Sequence, residues 1–272
     1  MGMKRVIIAG AIFSLTNISF AMADIKVVTS IKPVHSLVSG VMVGVGVPSL
    51  IIDGAGSPHT YSLKPSQAKQ LQDAKLVFWM GDELETFLEG PIENIAQNAT
   101  AIKLIDAHGL KKIKFREGGM FDDHGHDDHD EHDHEKHDDH DDEKHAKKEH
   151  DDHGDHDGHD DHGHGEFDPH VWLDPVNAKA IVHEIEEALV KADPEHASTY
   201  EANAHKMMEK LDTLTAKLRE ELEPVHEKGF IVFHDAYQYF EQRFDLAAIG
   251  SITVSPEAMP GAERVSELRE KI

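Results

Sequence analysis

Apolar residues along the first hundred positions switch repeatedly between two spacings. Short β-branched runs such as Ile25-Lys26-Val27-Val28-Thr29 give way to stretches in which apolar residues recur every three or four positions. The pattern predicts strands at 24–31, 49–52, 76–80 and 101–104, with helices at 33–43, 65–73 and 84–96 between and after them. Strict alternation of this kind predicts a parallel sheet with helices packed on its faces. After a long polar interruption, 171–173 reads as a further short strand, and Asp174-Pro175 opens a helix over 176–191. Pro169 and Pro175 mark the boundaries of that strand.

From 194 to 223 runs one uninterrupted helical pattern, with Tyr200, Ala204, Met207, Met208, Leu211, Leu214, Leu218 and Leu222 on one stripe. Thirty residues of helix would span ~45 Å, the width of a whole domain, a length suited to a strut between two lobes. Pro224 and Gly229 end it. A second α/β unit follows, with strand 230–233, helix 236–244, strand 247–253 and helix 262–272, where the chain stops in mid-pattern. A second lobe of this size is too small to bury a good core of its own, so a further C-terminal part is expected.

The N-terminus carries Lys4 and Arg5, an apolar stretch over 6–20, and Ala21-Met22-Ala23 before Asp24. Fifteen residues interrupted by Thr16, Asn17 and Ser19 are short for a membrane span, which needs ~20. The segment reads instead as a secretory signal cleaved after Ala23, which predicts a soluble periplasmic protein. Cysteine is absent. That excludes disulfides, a lipid-anchoring thiol and thiolate metal sites.

Charge and histidine concentrate in one place. Of 23 histidines, fourteen lie in 122–166: His124, His126, His129, His132, His134, His137, His140, His145, His150, His153, His156, His159, His162 and His164. The same segment holds 21 Asp or Glu against 4 Lys, which is −17 of the formal charge of −25. With almost no apolar residues it cannot offset the entropy of ordering, and it is expected to be a disordered loop. A charge run of this kind is usually only a solvated linker. The repeated His-Asp-Asp-His, His-Asp-Glu-His and His-Gly-His spacings instead fit an auxiliary metal collector, weaker per ion than a preorganised site. The negative balance argues against nucleic acid as a partner.

Three histidines outside that run adjoin predicted strand ends, where ligands bind in open α/β sheets. His59 lies in the Gly- and Pro-rich loop 54–65, His170 between Pro169 and Val171-Trp172, and His234 at the end of Phe230-Ile231-Val232-Phe233. Any one of them alone would read as a structural histidine. Taken together beside a metal-collecting segment, they read as a binding set.

The segments Ser57-Pro58-His59-Thr60-Tyr61-Ser62-Leu63-Lys64-Pro65, Asp168-Pro169-His170-Val171-Trp172-Leu173-Asp174-Pro175 and Phe233-His234-Asp235-Ala236-Tyr237-Gln238-Tyr239-Phe240 resemble the motifs of the metal-binding receptors of bacterial ABC importers, above all the periplasmic zinc-uptake receptors. The likeness runs from Asp24 to Ile272 and takes in Pro260-Gly261-Ala262. It implies an α/β fold of two lobes, each a parallel-sheet (βα) sandwich, joined by one long rigid helix with the metal cleft between lobes. The domain boundaries become 24–193, a linking helix at 194–223, and 224–272. It also implies one Zn²⁺ held by His59, His170 and His234, delivery to an inner-membrane ABC permease with its ATPase, action as a monomer, and no catalysis.

Two departures bear on the fourth ligand. Some relatives carry Glu immediately before the first histidine, where this chain has Pro58, which cannot coordinate. Manganese relatives use a C-terminal Asp whose counterpart would lie beyond Ile272, and Glu where this chain has His234. Three imidazoles and one open position favour zinc over manganese, which prefers carboxylate oxygen. Three other readings remain: a receptor for manganese or another divalent metal, a periplasmic zinc buffer, and a zinc hydrolase. For the hydrolase, Asp235 or Glu257 would have to supply the base, yet no His-Glu-x-x-His motif is present.

Overall fold

The computed structural model describes residues 25–116, 166–253 and 259–271. The proposed signal segment, the fourteen clustered histidines and Glu257 lie outside these residues.

The first sheet contains β1 (Val27–Thr29), β2 (Ser49–Leu50), β3 (Leu76–Trp79) and β4 (Thr100–Lys103) in the order β2-β1-β3-β4, all parallel. Every residue of β1 and β3 is buried, as expected of central strands covered on both faces. The helices α1 (Lys32–Val41), α2 (Pro65–Asp73), α3 (Thr86–Asn94) and α4 (Pro175–Ala192) flank it. Val34, Val38, Val41 and Met42 from the α1 region pack with Ile181, Val182, Ile185 and Leu189 of α4 in one core.

Helix starts follow the sequence signals. Pro65 and Pro175 occupy the first turns of α2 and α4, where a missing N–H costs nothing. Asp174 caps α4 by accepting the Val176 N–H at 2.9 Å.

The long helix is shorter than its sequence pattern. α5 (Ala197–Leu222) has 26 residues and is flanked by 3₁₀ turns at Pro194–His196 and Glu223–Val225. Asp193 accepts both His196 Nδ1 at 2.7 Å and the Tyr200 hydroxyl at 2.8 Å, and this fixes the bend between α4 and α5. α5 runs across α4 and α1, where Asn203 Nδ2 donates to the Val41 and Val43 carbonyls left open at the end of α1. Among the described residues, no helix is long and apolar enough to cross a membrane.

Beyond α5, β5 (Phe230–His234) pairs in parallel with β6 (Ala248–Thr253), and α6 (Gln238–Phe244) joins them. α7 (Ala262–Lys271) follows. α6 begins two residues later than the sequence pattern predicts, because Asp235, Ala236 and Tyr237 form the turn out of β5.

One sequence expectation is overturned. Residues Val171–Leu173 form a 3₁₀ turn and not a strand. Pro169 and Pro175 leave only five residues between them, and Asp168 accepts the His170 N–H at 2.9 Å, which bends the chain before a ladder can start. The chain rejoins the first lobe instead through an isolated antiparallel bridge between Lys114 and Phe167.

Candidate metal centre

The loop carrying His59 leaves the C-terminal end of β2. Gln67, on α2, staples it from below. Its amide donates to the Ile51 carbonyl at 2.6 Å and to the Tyr61 hydroxyl at 2.9 Å, while its oxygen accepts the Lys64 N–H at 2.8 Å. The Tyr61 ring packs on Phe87, with centroids 5.2 Å apart, and lies so close over Gly56 that a Cβ there would stand 2.9 Å from it. Ser57 Oγ accepts the His59 N–H at 3.3 Å. A histidine on an irregular loop is thereby held on a rigid base.

His170 follows the bridge at Phe167 and is buried. Its Nδ1 stands 2.6 Å from Oδ1 of Asp168, a side chain with no exposure at all. An ionised carboxylate only accepts, so Nδ1 carries the proton and Nε2 presents its lone pair to the cleft. Asp168 is itself gripped from the other lobe. Gln238 Nε2 donates to its Oδ2 at 3.2 Å, and the Tyr239 hydroxyl donates to its carbonyl at 2.8 Å. Tyr239 is held high in pKa, at about 12, mainly by burial, so it remains a donor.

His234 ends β5, and its carbonyl accepts the Ala236 N–H at 2.9 Å. The three sequence-predicted histidines converge. Ring centroids lie 5.8 Å apart for His59 and His170, 6.1 Å for His59 and His234, and 5.6 Å for His170 and His234. One ligand nitrogen from each lies within 4.8 Å of the others. Ligands at the zinc distance of 2.0–2.1 Å would stand about 3.3 Å apart in a tetrahedron, so a contraction of an ångström or so completes such a site.

The second-lobe contacts extend beyond Asp168. Arg116 reaches Asp235 and Glu241, Arg243 reaches Asp174 with two bonds of 2.6 Å, and Lys111 Nζ donates to Gln242 Oε1 at 3.2 Å. Burial pushes Asp235 above the usual carboxylate range, with Arg116 pulling the other way. The sequence points to Asp235 as the base a hydrolase would need, whereas the carboxylate that touches a predicted ligand is Asp168. Its place two residues before His170 in Asp168-Pro169-His170 is the signal that could have found it.

Two parallel sheets, a long helix between them and three convergent imidazoles in the intervening cleft define a class: the α/β binding proteins that seat a small ligand between lobes. The chain belongs to the family described as "Zinc-uptake complex component A periplasmic", which matches residues 27–272. Among curated relatives, the high-affinity zinc uptake system protein ZnuA of Brucella abortus (strain 2308) is 58% identical over 246 residues, 90% of this chain and 72% of that protein. The protein of the same name from Yersinia pestis is 33% identical over 274 residues, 99% of this chain and 78% of that one. Two solved structures share the fold. A ZnuA aligns at TM-score 0.67 and 22% identity, covering 91% of this chain and 78% of its own. The periplasmic zinc binding protein TroA from Treponema pallidum aligns at TM-score 0.68 and 18% identity, covering 92% and 74%.

Proposed function

We propose that this chain is the zinc receptor of an ABC importer. It captures Zn²⁺ in the periplasm with His59, His170 and His234 and hands it as a monomer to an inner-membrane permease driven by its ATPase. The metal is cargo, and the chain performs no chemistry on it. The observation that carries the reading is the convergence of three imidazole nitrogens to within 4.8 Å, drawn from three separate segments of the chain. The 58% identity to a named zinc uptake protein supports the choice of metal. Three neutral nitrogen donors and one open position suit zinc, whereas manganese prefers oxygen and higher coordination.

The division of labour is local. Asp168 holds the His170 tautomer, Gln67 and Tyr61 hold the loop of His59, and β5 delivers His234. The lobe boundaries are 24–193 and 224–272, with 194–223 linking them. The segment 122–166 acts as an auxiliary collector with its fourteen histidines, binding each ion less tightly than the cleft.

Zinc titration by calorimetry tests the reading in a variant lacking 122–166, alone and with His59, His170 and His234 changed to Ala. One tight site present in the first and lost in the second supports the receptor. Tight binding that survives the triple change, or that disappears with 122–166 alone, moves the function to the buffer reading.

A further inference from the structure

We infer that Arg116 is a positioning residue of the metal site, fixing where His234 stands relative to His59 and His170. The inference rests on the receptor reading above, and it concerns a residue well outside the histidine motifs.

Arg116 belongs to the first lobe, two residues after the bridge between Lys114 and Phe167. Its guanidinium crosses to the second lobe and takes hold of two carboxylates at once. Nε and Nη2 donate to Asp235 at 3.0 and 2.7 Å, and Nη1 and Nη2 donate to Glu241 at 3.0 and 2.6 Å. Both forks of the planar group are thereby engaged, a geometry a lysine ammonium cannot reproduce.

The two carboxylates flank the turn that leaves β5, Asp235 at its start and Glu241 one helical turn into α6 beyond it. Asp235 directly follows His234. Glu241 lies on α6, is buried, and also accepts the Ala248 N–H at 3.0 Å, which ties it to the start of β6. A single contact would let the turn swivel, but gripping its first residue and the helix that follows it removes that freedom. Other bonds from α6, through Gln238, Tyr239 and Arg243, reach Asp168 and Asp174 on either side of His170. They hold the lobes together at the first-lobe ligand. The Arg116 clamp acts on the turn of the second-lobe ligand. Removing Arg116 therefore leaves the fold in place, brings two carboxylates together without their shared cation, and releases His234.

The test uses the full chain. Arg116→Ala, Arg116→Lys and Asp235→Asn are compared with wild type by competition against a zinc chelator, by the Co²⁺ absorption spectrum of the loaded site, and by apo melting temperature. The tight site is identified as the one lost when all three histidines are Ala. The expected result is a 10–100-fold weaker tight site in Arg116→Ala with only partial recovery in Arg116→Lys, and at least fivefold weakening in Asp235→Asn. The Co²⁺ bands should change in intensity as the donor geometry loosens. Affinity within twofold of wild type in Arg116→Ala, with an unchanged spectrum, overturns the inference. If Arg116→Ala fails to fold, Asp235→Asn decides alone, and affinity within twofold there overturns it equally. Tight binding that persists without the three histidines instead overturns the receptor reading.

Discussion

His170 Nδ1 lies 2.6 Å from Asp168 Oδ1, and the same oxygen receives the His170 backbone N–H at 2.9 Å. One carboxylate therefore fixes both the ring and the peptide that carries it. Asp168→Ala frees the ring to rotate and to take either tautomer, and zinc affinity should fall about 10–100-fold. Asp168→Asn keeps the shape but offers a weaker acceptor, so its loss should be smaller. Chelator competition measures both, and an Ala variant with unaltered affinity would sink this role for Asp168.

Gln67 plays the corresponding part for His59 through packing and not through direct contact. Its three bonds to Ile51, Tyr61 and Lys64 tie the loop to α2 and to the end of β2. Gln67→Ala removes all three bonds, the one to the Ile51 carbonyl being buried, and should cost about 1–3 kcal/mol of stability. It should also weaken zinc binding severalfold, since the loop gains freedom that binding must remove. Denaturant melts and zinc titrations of the same variant separate the two effects; stability lost with affinity retained would show that the loop is held elsewhere.

The periodic elements were legible because each depends on local signals. Buried β-branched runs gave the strands, and proline and Asp174 gave the helix starts. The three histidines were legible because each sits beside a strand end in a motif that resembles a known family. The 3₁₀ turn at Val171–Leu173 was not, since three apolar residues between prolines fit a strand or a turn equally well and only the Asp168 bond decides between them. Nor was the clamp of Arg116 on Asp235 and Glu241. Its partners lie 119 and 125 residues away, and a lone arginine ahead of an acidic run reads as surface.

The interface between lobes also has a stability role at Arg243. Its guanidinium makes a bidentate pair with Asp174, a side chain 4% exposed that caps α4 at the same time. Asp174 holds Arg243 above its ordinary pKa range. Arg243→Ala leaves that carboxylate without its cation and should cost about 1.5–3 kcal/mol, the range for hydrogen bonds to charged groups. Urea denaturation should show a lower midpoint with a similar slope, and an unchanged midpoint would mean that the Val176 N–H alone satisfies Asp174.

Glu85 supplies the pH dependence. Its side chain is wholly buried below the end of β3, where Oε2 accepts the Met80 N–H at 2.7 Å and the Gly81 N–H at 3.3 Å. Burial raises its pKa from 4.5 to about 7, against the opposing pull of the Ser30 hydroxyl and these two backbone donors. In the unfolded chain the group ionises near its ordinary value, so between about 4.5 and about 7 the folded state binds the extra proton. Stability contributed by this residue therefore falls as pH rises through that window, and the loss is complete above about pH 7, on the order of 3 kcal/mol. Glu85→Gln keeps an oxygen for the two N–H donors and does not titrate. Relative to wild type it should gain stability from pH 4.5 to about pH 7 and then level off, as read from denaturant melts at pH 4.5, 7 and 8. Other titrating groups are common to the two proteins and cancel in the difference, so a pH-independent offset would mean that Glu85 is ionised in the folded state throughout.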